Sequence, residues 1–402
     1  MAEQKALTVL CISSYFKGER FIQQAKAEGC RVLLLTEEKL AHERWPRESI
    51  DEFMLMPDLS ITQHVLNAVS YLYRSQWIDL IVPLDEYDVE NVATLREHLR
   101  QPGMGQTATR FFRDKLAMRM RADEGGVLVP PFTSVFNYDR LRDYMSRIPA
   151  PYILKPRTQA GSMGIKKINH PDEIWPVLEK LGDEQSGFVL EQFIPGDVYH
   201  VDSIITDGKI VFASAQKYGA PPFSVYHGGG IFSSRTLPAT DAETVALKKL
   251  NEEVISVLGM DHGVTHAEFI KAHADGRLYF LEVAARVGGA NLSDMIEQAT
   301  GVNLWAEWLR LEIAHVRGEP YQPPKAQNHY AGMLQCLSKQ EHPDMSSYHD
   351  PEIVWKLDKK FHAGLIVKSE RKERVEELLA AYTDRFATDF LTSAPPMDKP
   401  VH

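Results

Sequence analysis

Short apolar runs alternate with segments of helical period over the first hundred residues of the chain. Residues 7–12 read as a compact strand, 19–28 as a helix stopped by Gly29, and 31–35 as a second strand. A third apolar run, 78–83, lies between helical stretches at 61–74 and 89–99. Strands alternating with helices predict a small open α/β unit with a parallel sheet, bounded at residues 1–102. The loop after its first strand, S-S-Y-F-K-G at 13–18, lacks the G-x-G-x-x-G fingerprint, so a dinucleotide is not expected there.

Beyond residue 101 the pattern changes. A helix is expected over 110–124 and a strand over 151–156, P-Y-I-L-K-P; a Gly-rich loop at 158–164, T-Q-A-G-S-M-G, then leads into a strand at 165–168. Strands at 187–193, 198–205 and 209–215, the last two joined by a turn at Asp207 and Gly208, continue an antiparallel α+β pattern as far as a helix at 292–300. The run G-E-P-Y-Q-P-P at 318–324 reads as a linker. Strands at 330–337, 353–357 and 363–367 and a charged helix at 370–382 then predict a small C-terminal α+β unit with a disordered tail at 392–402. The fold class is thus α/β and α+β multidomain, in three parts: 1–102, 103–318 and 319–402.

The segment 264–291, V-T-H-A-E-F-I-K-A-H-A-D-G-R-L-Y-F-L-E-V-A-A-R-V-G-G-A-N, carries the most chemistry. Two alternating runs flank Ala274, Asp275 and Gly276, a three-residue hairpin loop with glycine where a left-handed residue is needed. That register sets Phe269 opposite Leu281 and Ala267 opposite Val283, and on the other face Glu268 opposite Glu282. Like charges directly across a sheet repel. A hard divalent cation such as Mg²⁺, which takes carboxylates together with substrate phosphates, would relieve the repulsion. The same strands also fit a solvated hairpin with surface glutamates. Arg286 falls on the glutamate face if the strand continues, just before Gly288 and Gly289.

Size and composition narrow the classes. A chain of 402 residues suggests two or three domains, and 44% hydrophobic with 25% charged residues is typical of a globular protein. No apolar run approaches membrane-spanning length and the N-terminus enters a strand at once, so a cytoplasmic protein with no membrane partner is expected. Cys11, Cys30 and Cys336 are isolated, without zinc spacing. A formal charge of −10 argues against nucleic acid as a partner, and any anionic ligand needs a local cluster of basic groups. Lys155 ends an apolar strand just before the Gly-rich loop, whose backbone N–H groups can approach phosphate oxygens.

Taken in order, R-D-K at 113–115, I-L-K-P at 153–156, the Gly-rich loop, L-E-Q-F-I-P-G at 190–196 and the Glu268/Glu282/Arg286 group resemble the ATP-grasp superfamily as far as about residue 310. The resemblance implies ATP held between two α+β lobes of 103–318, hinged near 191–196, after a pre-ATP-grasp unit. It makes Lys115 and Lys155 the phosphate-holding lysines, and Gly161, Ser162, Met163 and Gly164 the loop that closes over the nucleotide. Glu191, Gln192, Phe193 and Ile194 become the hinge at the adenine edge, with His200 near the ribose. Glu268 and Glu282 become ligands of Mg²⁺, or of Mn²⁺ in its place, and Arg286 meets the transferred phosphate or the substrate carboxylate. Two positions depart from the family pattern: Ala284 stands where an asparagine ligand is usual, leaving Asn291 as a nearby polar group, and Val198 replaces a ribose-binding acid.

T-H-A-E-F-I and L-E-V-A-A-R-V-G-G are most similar to the L-amino acid ligase and carnosine synthase branch of carboxylate–amine ligases. That branch implies amide formation through an acyl phosphate, with small-molecule carboxylate and amine substrates, amino acids among them, and allows a homodimer. His266, two residues before Glu268 on the same strand face, is expected in the substrate site with Arg286, Gly288, Gly289 and Asn291. His227 and Arg235, around the run Gly228 to Gly230, are further substrate-pocket candidates. Two other readings stay open: an enzyme that passes on carboxyphosphate or formyl phosphate, towards which Y-H-V-D at 199–202 leans, and a noncatalytic ATP-binding module, suggested by Ala284.

Overall fold

The structure, a computed structural model, describes residues 6–394. Its N-terminal unit runs β1 (Thr8–Ser13), α1 (Glu19–Ala27), β2 (Arg31–Glu37), β3 (Glu52–Met56), α2 (Thr62–Tyr73), β4 (Leu80–Pro83) and α3 (Val89–Leu99). The four strands form a parallel sheet in the order β3-β2-β1-β4, as expected of alternating strands and helices. Alternate residues serve two cores: Val9, Cys11, Val32 and Leu34 pack with Phe21 of α1, and Leu10, Ile12, Leu33 and Leu35 with Val65 of α2 and Val92 of α3. Edge strand β3 is only half-buried, and its run E-F-M-L-M gave no clear strand pattern.

The helix expected over 110–124 is two, α4 (Gln106–Arg110) and α5 (Lys115–Glu124). Asp114 causes the restart, because its carboxylate accepts from the N–H groups of Leu116 and Ala117 as an N-cap. A small lobe follows: β5 (Phe132–Ser134), α6 (Tyr138–Arg147), β6 (Tyr152–Pro156), β7 (Lys166–Ile168), α7 (Ile174–Leu181) and β8 (Phe188–Gln192). Its sheet has the order β5-β8-β6-β7, and Leu141, Ile174 and Leu178 of the two helices pack on Tyr152, Leu154 and Leu190.

The larger lobe holds β9 (Gly196–Thr206), β10 (Lys209–Tyr218), α8 (Pro222–Gly228), β11 (Phe232–Thr236), α9 (Ala242–Leu258), β12 (Gly263–Ala272), β13 (Leu278–Ala284), α10 (Leu292–Thr300) and α11 (Leu304–Arg317). β14 (Tyr330–Leu337), β15 (Ile353–Lys356), β16 (His362–Ser369) and α12 (Lys372–Asp389) complete the described chain. The strands after the linker do not make a sheet of their own. They extend the larger lobe's sheet, in the order β13-β12-β9-β10-β11-β14-β16-β15, through the pairing of Phe232 on β11 with Gln335 on β14. Thr392 donates its N–H to Leu337 O at 3.1 Å, so the expected tail begins in order; residues 395–402 of that tail lie outside the described residues.

The hairpin of β12 and β13 pairs Glu268 with Glu282 and Ala267 with Val283 as expected, but Phe269 lies opposite Phe280 rather than Leu281. Leu281 is the extra residue of a β-bulge. The bulge keeps Phe269 and Phe280 together in the core, their rings 5.9 Å apart, and turns Leu281 and Glu282 to the same cavity. Two consecutive residues of a regular strand would face opposite ways.

Candidate active site

A cavity of about 190 Å³ separates the two lobes. The small lobe contributes Lys155, Gly161, Ser162, Met163 and residues 191–194; the larger sheet contributes Glu268, Ile270, Leu281 and Glu282, while Lys115 enters from the start of α5. Lys115 Nζ lies 3.2 Å from Glu282 Oε2 and donates to Gln159 O at 2.6 Å. Lys155 Nζ lies 2.8 Å from Glu191 Oε2, and Arg119 Nε lies 2.9 Å from Glu191 Oε1. Burial pushes the Glu191 carboxyl up, but Arg119 and Lys155 outweigh it and hold the group below its ordinary value. Burial also lowers the Lys155 ammonium despite its acidic partner. Both Glu191 oxygens therefore hold cations, which corrects the expected contact of this side chain with an adenine edge. Gln192 and Phe193 line the cavity with their N–H groups engaged by Pro131 O and Pro151 O.

Behind Glu268 runs a buried polar chain. Tyr218 donates its hydroxyl to Glu268 Oε1 at 2.8 Å, and His266 Nε2 lies 3.6 Å from the same oxygen. Asp202, opposite His266 in the β9/β12 register, reaches His266 Nδ1 at 2.9 Å and His200 Nδ1 at 2.6 Å; Ser234 Oγ meets His200 Nε2 at 2.9 Å. Burial disfavours a charged ring at His266, yet Asp202 and Glu268 push its pKa up to about 10. Burial raises the Glu268 carboxyl, and the hydrogen bonds of His266 and Tyr218 outweigh it and hold it low.

Several expected contacts fail for stated reasons. His200 is fully buried with both ring nitrogens engaged, so it does not reach a ribose. His266 supports Glu268 from behind instead of lining the cavity. Gly288 is a close-approach residue rather than a flexible one: a Cβ there would lie 2.8 Å from Asp202 Oδ1 and 3.0 Å from His266 Nδ1. Asn291 stands at the N-cap position of α10, donates its side-chain amide to Asp294 Oδ2 at 3.2 Å and does not line the cavity. Arg235 alternates away from Ser234 and pairs with Glu376 of α12 at 3.1 Å, beside a different groove. His227 packs its ring at a tilt against Phe223 within α8, centroids 4.5 Å apart; Phe223 lines the cavity and His227 does not. Gly289 faces open space, and Gly164 closes the loop behind Met163 with φ +69°.

Arg286 is anchored by a residue with no motif to announce it. Its Nε and Nη2 donate to Glu86 Oε2 at 2.9 and 2.6 Å, while Arg113 Nη1 donates to Glu86 Oε1 at 2.9 Å. Burial pushes the Glu86 carboxyl up, and the two guanidinium groups hold it far below its ordinary value. Glu86, Arg119, Asp202 and Tyr218 are the residues that pattern reading missed. Only Asp202 left a signal, two residues after His200 on an alternating strand.

The donor set suits a hard divalent cation. Two cross-strand carboxylates, one of them 34% exposed to the cavity, offer oxygen ligands, while Ala284 offers none. Such an ion would be held by Glu268 and Glu282.

Residues 148–294 match the model of the ATP-grasp domain family. The L-arginine-specific L-amino acid ligase of Bacillus subtilis is 26% identical over 241 residues, 58% of each chain. The D-alanine–D-alanine ligase of Prosthecochloris aestuarii is 23% identical over 221 residues, covering 50% of this chain and 59% of that one. The chain thus spans less than two thirds of the length of these two curated relatives. Among solved structures, the L-amino acid ligase from Bacillus licheniformis superposes with a TM-score of 0.78 at 16% identity, over 97% of this chain and 100% of that one. Among the described residues no helix is long and apolar enough to cross a membrane. With two lobes flanking a lysine- and glutamate-lined cavity, the family match over 148–294 and this superposition, the chain has the ATP-grasp fold and is similar to the L-amino acid ligases.

Proposed function

We propose that the chain is an ATP-dependent carboxylate–amine ligase that joins an amino-acid carboxylate to an amine and releases ADP and phosphate. The observation that supports this most is the convergence of Lys115, Lys155, Glu268 and Glu282 on one cavity. A carboxylate is a poor electrophile, so its oxygen first takes the γ-phosphoryl group of ATP, and ADP leaves. The amine nitrogen then attacks the acyl carbon, the C–O bond to phosphate breaks with its electron pair, and the nitrogen sheds a proton to give the amide. A bound Mg²⁺ supplies charge neutralisation on the phosphates. Lys115 and Lys155 hold phosphate oxygens, Arg286 orients the carboxylate and then the acyl phosphate, and the loop over Gly161 to Met163 excludes water. Tyr218 and His266 fix the Glu268 carboxylate, and the bulge at Leu281 presents Glu282. The relatives named as amino acid ligases point the same way for the substrate class.

Release of ADP and phosphate is the test, with amino acids supplied singly, in pairs, or replaced by bicarbonate. Turnover that needs a pair is the expected result. Bicarbonate-dependent turnover would assign the carboxyphosphate chemistry instead, and ATP binding without turnover on any substrate would assign a noncatalytic module, the reading that Ala284 favours.

A further inference from the structure

A second cavity, of about 220 Å³, lies at the carboxyl ends of β1 and β2, where open α/β sheets take ligands. Its chemistry comes from Tyr15, Glu37, Lys39, Tyr87, Glu90 and Arg113. These are two acids, two bases and two tyrosines with rings 5.4 Å apart, so the ionisable wall carries a formal charge of zero, 2 − 2. A phosphate ester would need a surplus of positive charge there. A zwitterion needs one group of each sign, and this wall offers both. Arg113 is 3% exposed at its side chain, and its Nε–H has no hydrogen-bond acceptor; the nearby Glu90 Oε2, at 3.9 Å, is too far. An unmatched buried donor on a cavity wall calls for an acceptor from a ligand.

The two cavities share Gln159 as a common wall. Its carbonyl takes the Lys115 ammonium, and its side-chain oxygen takes the Tyr87 hydroxyl at 3.1 Å. The same segment leads into the Gly-rich loop, so movement of that loop bears directly on the partition. Arg113 is also one carboxylate away from Arg286, since Glu86 bonds both guanidinium groups. A molecule held at Arg113 is therefore linked through Glu86 to Arg286, and only Gln159 parts it from the nucleotide cavity.

We propose that this cavity binds the amine-side substrate and that this substrate is a free α-amino acid, its carboxylate on Arg113 and Lys39 and its ammonium towards Glu90. The assignment rests on the ligase reading for the role of the ligand, but not for its binding. Lys39 and Glu90 are partly exposed at 35% and 48% and serve as probes through Lys39→Met and Glu90→Gln; Lys39 also pairs with the buried Glu37 at 2.6 Å, so the MgADP shift of each variant is the control for its fold. Thermal unfolding is followed for wild type and both variants with each of the twenty standard L-amino acids, with MgADP, and with ribose 5-phosphate. At least one amino acid should raise the wild-type Tm, and each variant should lose that shift while keeping the shift from MgADP. In turnover assays the KM for that amino acid should rise about tenfold, the loss of one charge-assisted contact of roughly 1.4 kcal/mol, with the KM for ATP unmoved. Amino-acid shifts that survive in both variants, or a response to ribose 5-phosphate and to no amino acid, would overturn the proposal. A wild-type protein that answers amino acids, through Lys39 and Glu90, but not MgADP would keep this cavity and overturn the ligase reading.

Discussion

Replacing Glu86 with alanine tests how the site is tied to the N-terminal unit. Glu86 stands in the loop after β4, yet one carboxylate oxygen holds Arg286 from the larger lobe and the other holds Arg113 ahead of α5. All three side chains are largely buried, so Glu86→Ala strands two guanidinium charges in a poorly solvated place. Removing one partner of a buried pair costs about 3–5 kcal/mol. Against a total stability of about 5–15 kcal/mol, that is a large fraction. Urea unfolding should show the loss in midpoint, and Glu86→Gln, which keeps an acceptor but not the charge, should lose less. Because Arg286 also loses its anchor, turnover should fall more steeply than stability predicts. The sign of the pH dependence is fixed by the same contacts. The folded carboxyl is held below its unfolded value of about 4.5, so the stabilisation is full above that pH and fades as pH falls towards the lower folded value. A loss under about 1 kcal/mol in Glu86→Ala would refute the claim that Glu86 carries the two arginines.

Three further outcomes follow from the geometry. Gly288→Ala places a methyl group 2.8 Å from Asp202 Oδ1, and overpacking of this kind should cost about 1–3 kcal/mol in Tm or urea measurements; a neutral change would mean the Asp202–His266 contact yields easily. Glu282→Gln should abolish ADP release while circular dichroism and Tm stay near wild type, since Glu282 is a cavity-facing residue, and undiminished turnover would remove it from the metal site. Asp88, buried beside Asp85 and bonded to Ser14, has its carboxyl pushed up to about 7 by burial. A raised acid stabilises the fold at low pH and loses that contribution as pH rises from about 4 through 7. Asp88→Asn should therefore flatten the fall in stability between those limits, and an unchanged pH profile would place the group's titration elsewhere.

Much of the fold was legible where a strand or helix carries its own pattern. β14 and α10 have the expected bounds because their buried faces are continuous and their ends are marked by turn residues. α6, α7, α9 and α11 were not anticipated. α9 did carry a signal, with Leu247, Asn251, Val254, Ile255 and Leu258 buried at helical spacing, but Asn251 interrupts the apolar stripe. α6 buries only Leu141 and Tyr144, too few for a pattern. That the last strands join the larger sheet could not be read at all, because the pairing of β11 with β14 joins residues about a hundred positions apart.

For the site the same division holds. Glu268 and Glu282 were readable because a hairpin brings them together locally, and the bulge one residue later shifts only the far half of the register. The partners of the basic residues were not readable, and they change the electrostatic picture. Two buried carboxylates each serve two cations: Glu191 at the cavity serves Lys155 and Arg119, and Glu86 serves Arg286 and Arg113. The Glu191 cluster thus faces the cavity with one positive charge beyond its own carboxylate, in a chain whose formal charge is −10. Lys115 differs, since its partner Glu282 is half-open and can exchange the lysine for a metal ion. A polyphosphate entering this cavity therefore need not break the buried pairs. It meets the surplus charge of the Glu191 cluster and displaces the Lys115 contacts to Glu282 and to Gln159 O, which frees the lysine for phosphate and the glutamate for the cation in one exchange.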